Sequence, residues 1–176
     1  THSSEYRTRR FINWFPLGIS YALLYMGRYN LTVSKTALGS LMPKDMFGDI
    51  FAVGSIVYGC AFLLNGPLTD KIGGRAAMLM GMMGACVANL AMGLYTKSMM
   101  NVATPDATNL KLVFTLLYAV NMYFQSFGAV AIVKVNASWF HVRERGYFSG
   151  IFGIMISSGL WLAFDVNGRI LKSGLV

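Results

Sequence analysis

Charge is scarce in this chain. Only 12% of its 176 residues are Asp, Glu, Lys or Arg, against about 25% in soluble globular domains, which argues against an ordinary water-soluble fold. Acids are scarcest: Glu5, Asp45, Asp49, Asp70, Asp106, Glu144 and Asp165 are the whole set, and none falls in the middle of an apolar run. A proton relay built on carboxylates of this chain is therefore disfavoured. Cysteine is limited to Cys60 and Cys86, each inside an apolar run. They cannot form a CxxC metal or redox pair, and buried packing is expected for both. His2 and His141 lie far apart, without carboxylates at ligand spacing, so no metal site is expected. There is no Ser–His–Asp set, no GxxxxGK(S/T) loop and no pair of carboxylates within one apolar run. The chain reads as neither an enzyme nor a cofactor carrier.

What is present is apolar and cationic. Apolar residues make up 55% of the chain and aromatics 14%, with 12 Met and 19 Gly, a composition suited to closely packed membrane helices. The net charge is +8, yet the cations are scattered between apolar runs and form no basic stripe. They read as membrane-flanking residues beside a lipid bilayer, with no nucleic-acid partner. Five runs stand out, at about 11–33 (perhaps continuing to Leu41), 48–69, 76–95, 110–138 and 147–165. A bilayer core needs about 20 helical residues, and no alternating pattern suggests a barrel, so the expected class is all-α membrane.

Residues 1–10 read as a cytoplasmic segment with Arg7, Arg9 and Arg10. They resemble the charged part of a signal peptide, but no small-residue cleavage site follows, so the first run is a retained span. Pro16 is expected in the first turns of its helix. Asp45 is a possible N-cap for the second helix, and 141–146 reads as a polar turn. Residues 96–109, with Asn101, Thr104, Pro105, Asp106 and Asn109, read as an aqueous loop. Gly84, Ala88 and Met92, flanked by Gly81 and Ala85, predict close helix contact, as do Ser149, Gly153 and Ser157. Asn65, Asn89, Asn121 and Gln125 read as interhelical hydrogen-bond partners, and Lys134 as a snorkelling residue. Counting cations by side gives seven against six in favour of a cytoplasmic N-terminus. Residues 166–176 read as a loop toward a sixth helix, so a longer chain is expected.

Arg28 lies inside the first run. An arginine at mid-membrane costs at least ~2.5–3.5 kcal/mol, and such residues usually face a protein interior or a watery cavity. Tyr21, Tyr25 and Thr32 precede or follow it by seven, three and four residues, which places them on one helical face. A guanidinium with two phenols is a donor-rich cluster fit for an oxyanion, first of all phosphate. An arginine bonded to backbone carbonyls, or one snorkelling from a helix that ends near Asn30, is the ordinary alternative.

Gly66-Pro-Leu-Thr-Asp70-Lys71-Ile-Gly73-Gly-Arg75 resembles the loop signature of the major facilitator superfamily between its second and third helices. Gly66, Leu68, Asp70, Lys71, Gly73 and Arg75 fit, and Gly74 replaces a basic residue. Glycine permits the sharp reversal, while Asp70 and Arg75 can pair with each other or with a neighbouring helix terminus. Tyr21-Ala-Leu-Leu-Tyr25-Met-Gly-Arg28-Tyr-Asn30 is similar to the first-helix pattern of the organophosphate:phosphate antiporters. That family includes glycerol-phosphate and hexose-phosphate transporters. Tyr58-Gly59, Phe124-Gln125 and Trp139 followed by 143–146 are similar as well.

The resemblance implies the N-terminal helix bundle of a twelve-helix transporter (residues 11–165). Its partners would be organic phosphate, inorganic phosphate and the C-terminal half of the same protein. It implies exchange of a sugar or glycerol phosphate for inorganic phosphate by alternating access, in an inner (plasma) membrane. Arg28 would grip the phosphate, aided by Tyr21, Tyr25 and Tyr58, and the 66–75 loop would serve gating. Phe62 stands where the family commonly has a lysine, and Ile156 where glycerol-phosphate members have a histidine. A membrane sensor of a sugar phosphate, which the family also contains, and a transporter of another organic anion are the alternatives.

Overall fold

The computed structural model describes residues 3–35, 38–39, 42–102 and 106–173. The extension of the first helix to Leu41, the loop residues Thr104 and Pro105, His2 and residues 174–176 lie outside the described residues. Five long helices form: α1 (Ser4–Ser34), α2 (Lys44–Ile72), α3 (Gly74–Met100), α4 (Ala107–Trp139) and α5 (Val142–Trp161). A π-helical turn, Leu162–Val166, then leads directly into the short α6 (Asn167–Lys172). Among the described residues, four continuous helical stretches are long and apolar enough to cross a membrane: α2, α3, α4 and residues 142–172. The α1 helix, at 31 residues, is also of spanning length but more polar.

Each helix is longer than its apolar run, because hydropathy marks the lipid-embedded part and capping marks the end. The Ser3 side chain accepts from the Tyr6 N–H at 3.3 Å, and Glu5 pairs with Arg9 one turn on, so α1 starts seven residues before the apolar run. Pro16 therefore lies in the interior of α1, not in its first turns; spanning helices tolerate such a residue when neighbours satisfy the freed carbonyl. The N-cap of α2 is Pro43 rather than Asp45, which sits in the first turn, where its charge suits the helix dipole. The expected 141–146 turn is mostly helix. His141 caps α5, and the Glu144 carboxylate accepts from the His141 backbone N–H at 3.4 Å, closing a capping box. The expected loop from residue 166 is likewise helical through Lys172.

The centre of the bundle is α4, which packs most extensively on α3 and α2. Small residues make the α3–α4 approach: a Cβ on Gly81 would lie 2.9 Å from the Phe124 carbonyl oxygen, and one on Gly84 would enter the Phe124 ring. The α5 helix packs along α1 in the same direction, but not through the predicted face. Ser149, Gly153 and Ser157 are exposed, and their hydroxyls are turned back onto carbonyls four residues earlier, Ser149 to Arg145 at 2.8 Å and Ser157 to Gly153 at 3.0 Å. Burial of Phe148 and Phe152, whose rings lie 5.7 and 6.3 Å from Trp14, sets the rotation of α5 and brings Gly159 against the Ala22 backbone. Cys60 and Cys86 are exposed rather than buried, on outer surfaces shared with Leu63, Leu64, Met83 and Val87.

Two apolar cores result. One includes Leu31, Phe47, Ile50, Phe114 and Tyr118, the other Leu17, Leu24, Ala77, Phe127 and Phe152. Between them runs a polar belt of Arg28 and Asn30, near the C-terminal end of α1, and Asn89, Asn121 and Gln125, midway along α3 and α4. The interhelical role expected of four amides holds: Asn65 donates to Ser126 at 2.7 Å, Asn89 to Asn121 at 3.2 Å and Gln125 to the Leu24 carbonyl at 2.9 Å. Overpacking a tight contact costs about 1–3 kcal/mol. Gly159→Val should therefore lower the thermal unfolding midpoint in detergent, while Gly153→Val, whose Cβ meets nothing within 4 Å, should leave it within error.

Candidate functional site

Arg28 leaves α1 toward α2 and is held there by aromatic faces. Its guanidinium carbon lies 4.7 Å from the Tyr25 ring centroid and 4.5 Å from that of Tyr58, a cation–π sandwich that compensates part of the cost of desolvation. Its Nε and Nη2 are buried and have no hydrogen-bond partner. They are not bonded to backbone carbonyls, so that ordinary reading does not describe them. A bidentate edge of the guanidinium is left free.

Beside it opens a cavity of about 370 Å³, lined by Arg28, Tyr29 and Thr32 of α1, Phe51, Ser55 and Tyr58 of α2, and Tyr118 and Met122 of α4. Tyr118 is seated by Gly54, whose Cβ would fall inside its ring, and Phe51 meets it edge-on at 5.4 Å. The Ser55 hydroxyl is already given to the Phe51 carbonyl at 2.8 Å. Arg28 is the cation of this lining, and the phenols supply further donors.

Of the phenols expected with Arg28, Tyr25 and Tyr58 touch it, and Thr32 shares the cavity. Tyr21 does not. Seven residues along a helix is about 10 Å, and Gly128 on α4 makes room for Leu24, 2.5 Å from a Cβ built there, with the Tyr21 ring beside it in ordinary contact at 3.4 Å. Tyr21 is thus buried in the second core, edge-on to Tyr25 at 5.0 Å. Phe62 is half-exposed, 6.4 Å ring to ring from Tyr58, and Ile156 packs against the second core. No sequence pattern singles out Phe51, Ser55, Tyr118 or Met122. The available signal is the i, i+4, i+7 spacing of Tyr118, Met122 and Gln125, which places them on one face of α4.

The expected 66–75 loop is helical except at one residue, closing α2 and opening α3, and it lies at the other end of the helices, near the start of α1. Gly73 alone separates α2 from α3, with φ +87°, a conformation that favours glycine. Asp70 and Arg75 do not pair with each other. Asp70 pairs with Lys134 of α4, and Arg75 donates to the Asn13 side chain of α1. Lys71 is exposed, and Gly66 faces open space. Gly74 has a packing reason: its Cβ would lie 2.7 Å from Val135 and 3.2 Å from the Ala131 carbonyl oxygen, so the basic residue of the signature does not fit. Arg10 completes this end, paired with Glu144 at 3.0 Å beneath the Phe140 and Phe148 rings.

A family model described as Major Facilitator Superfamily matches residues 17–164. Among curated relatives, the membrane sensor protein UhpC of Salmonella typhimurium is 24% identical over 145 residues, covering 81% of this chain and 30% of that protein. The glycerol-3-phosphate transporter of Bacillus subtilis is 23% identical over 169 residues, or 96% of this chain and 34% of that protein. The probable hexose phosphate transport protein of Chlamydia trachomatis is 23% identical over 173 residues, covering 93% and 35%. The chain spans about a third of the length of the curated relatives it matches. No solved structure matches it. These relatives agree with the resemblance drawn from the first helix.

The Asp70–Lys134 pair is exposed, and exposed ion pairs contribute about 0.2–1 kcal/mol. Asp70→Asn and Lys134→Met are each expected to change unfolding free energy by no more than that. In a double-mutant cycle the coupling between them should be nonzero and should shrink with added salt.

Proposed function

Because the chain belongs to the Major Facilitator Superfamily, we propose that it forms part of a secondary transporter that exchanges an organic phosphate ester for inorganic phosphate by alternating access. The observation that carries this reading is the buried guanidinium of Arg28 with Nε and Nη2 unpaired beside a cavity of about 370 Å³. A buried cation without an anion is costly, and an incoming phosphate oxygen pair matches the planar fork of arginine. Occupation of the site would offset that cost, and the difference between empty and filled states is the free energy available to shift the balance of conformations.

In this reading Arg28 grips the phosphate, Tyr25 and Tyr58 fix the guanidinium plane, and the aromatic wall of Phe51 and Tyr118 meets the organic part. Tyr21, buried a turn below Tyr25, acts through it. The 66–75 segment, with Asp70 tied to α4 and Arg75 to α1, lets Gly66, Lys71 and Gly73 move with the helix ends as the bundle rocks. Gating at that end and a cytoplasmic N-terminus in an inner (plasma) membrane belong to the same proposal. A second reading has specific support: the relatives include a protein named a membrane sensor. A sensor would use the same Arg28 site for a sugar phosphate without turnover.

The test is counterflow in proteoliposomes carrying the full-length protein. Arg28→Lys keeps the charge but loses the two-pronged geometry, and is expected to lower exchange of inorganic phosphate for hexose or glycerol phosphate by about tenfold or more. Undiminished exchange would sink the role of Arg28. Saturable phosphate-ester binding without any counterflow in the unmutated protein would favour the sensor. Competition by a phosphate-free organic anion in preference to these esters would move the substrate class.

A further inference from the structure

Arg28 is flanked by amides that do not line its cavity. One turn before it, Gln125 Nε2 donates to the Leu24 carbonyl at 2.9 Å. That is the oxygen to which the Arg28 backbone N–H is directed in an α-helix. Two residues after it, Asn30 Nδ2 donates to Asn89 Oδ1 at 3.3 Å. Asn89 is a junction, since its own Nδ2 reaches Asn121 Oδ1 at 3.2 Å and the Ala85 carbonyl at 2.9 Å. From the far side, Asn167 Nδ2 donates to Asn30 Oδ1 at 2.5 Å.

The amides thus run head to tail from Asn167 to Asn30 to Asn89 to Asn121, joining α6, α1, α3 and α4. Gly27, beside Arg28, lets them come close: a Cβ there would lie 3.4 Å from Asn89 Nδ2 and 3.8 Å from Gln125 Nε2. Asn121 and Gln125 are fully buried while Asn30, Asn89 and Asn167 are half-buried, and amides in such a chain polarise one another.

We propose that Asn89 and Gln125 are positioning residues for Arg28, clamping its helical turn from α3 and α4 so that the free guanidinium edge is preorganised for an oxyanion. The proposal rests on the anion reading of Arg28 given above. Nε and Nη2 have no partner to fix them, and the flanking rings hold the guanidinium plane without fixing its height along α1. Binding sites lose function when their ligands drift by about 0.5 Å, and supporting hydrogen bonds prevent that drift. The clamp does this from outside the cavity, leaving Nε and Nη2 unpaired.

The experiment measures inorganic phosphate affinity by calorimetry on the purified full-length protein. Four forms are compared: unmutated, Asn89→Leu, Arg28→Lys and the double variant. Asn89→Leu is expected to weaken phosphate binding roughly 3- to 10-fold when Arg28 is present and to have no further effect on the Arg28→Lys background, which retains a weaker point-charge site. Gln125→Leu should show the same non-additivity. An equal loss on both backgrounds, or no loss with Arg28 present, would overturn the positioning role and leave the anion site standing. Arg28→Lys binding as tightly as the unmutated protein would overturn the anion reading and this proposal together. Should Asn89→Leu not fold, Asn167→Leu, at the half-buried end of the chain, carries the same test with a smaller expected loss.

Discussion

Lipid tails are as apolar as leucine, so no hydrophobic force drives one spanning helix onto another. This bundle holds together through what α4 allows to come near it. Gly74 and Gly81 of α3 bring backbone and small side chains within 3.2 Å of α4 atoms, measured from the Cβ each glycine lacks. On the α2 side, Gly54 receives the Tyr118 ring, and Asn65 reaches Ser126. Dispersion over such close surfaces replaces the burial from water that organises a soluble core. The outer faces of α2, α3 and α5 are apolar, with Leu63, Leu64, Met83, Val87 and Ile154 exposed.

The same constraint explains why polar groups gather in a belt. An amide facing lipid would lose its hydrogen bonds outright, so Asn89, Asn121 and Gln125 turn inward and bond one another's helices. The belt lies between the two apolar cores, and Arg28 extends from it into the cavity. Packing at both ends of the bundle therefore leaves a polar middle, where a charged ligand would otherwise have the least to bind.

Much of this was legible in the chain. Five apolar runs gave the five long helices, and the seven-, three- and four-residue spacings around Arg28 gave the face that carries Tyr25 and Thr32. The small residues of α3 gave its contact with α4. Three features were not legible, each for a physical reason. Helix ends outside the lipid are set by caps such as Ser3 and His141, to which hydropathy is blind. The rotation of α5 is decided by where Phe148 and Phe152 find Trp14, so a regular Ser-Gly-Ser spacing carried no weight against two phenyl rings. Tyr21 obeyed the helical period, but its ring settles in the second core, edge-on to Tyr25 rather than against the guanidinium. Residues contributed by α2 and α4, such as Ser55 and Tyr118, depend on tertiary approach and leave no mark at short range.

The π-helical turn at Leu162–Val166 gives α1 and α5 a property that no single contact shows. Each added residue in a helix advances the azimuth by about 100°, and a π turn adds one residue without adding a full turn of rise. Before it, α5 presents Phe148, Phe152 and Gly159 to α1; within it, the Phe164 ring lies 5.8 Å from that of Tyr29, and beyond it Asn167 meets Asn30. The two helices thus behave like parallel screws whose threads would fall out of phase along their length. The extra residue resets the phase where α5 ends. In a chain of this design, a one-residue change of length in the middle of α5 acts as a rotation rather than a shift, and it is felt first by the part of the pair beyond the change.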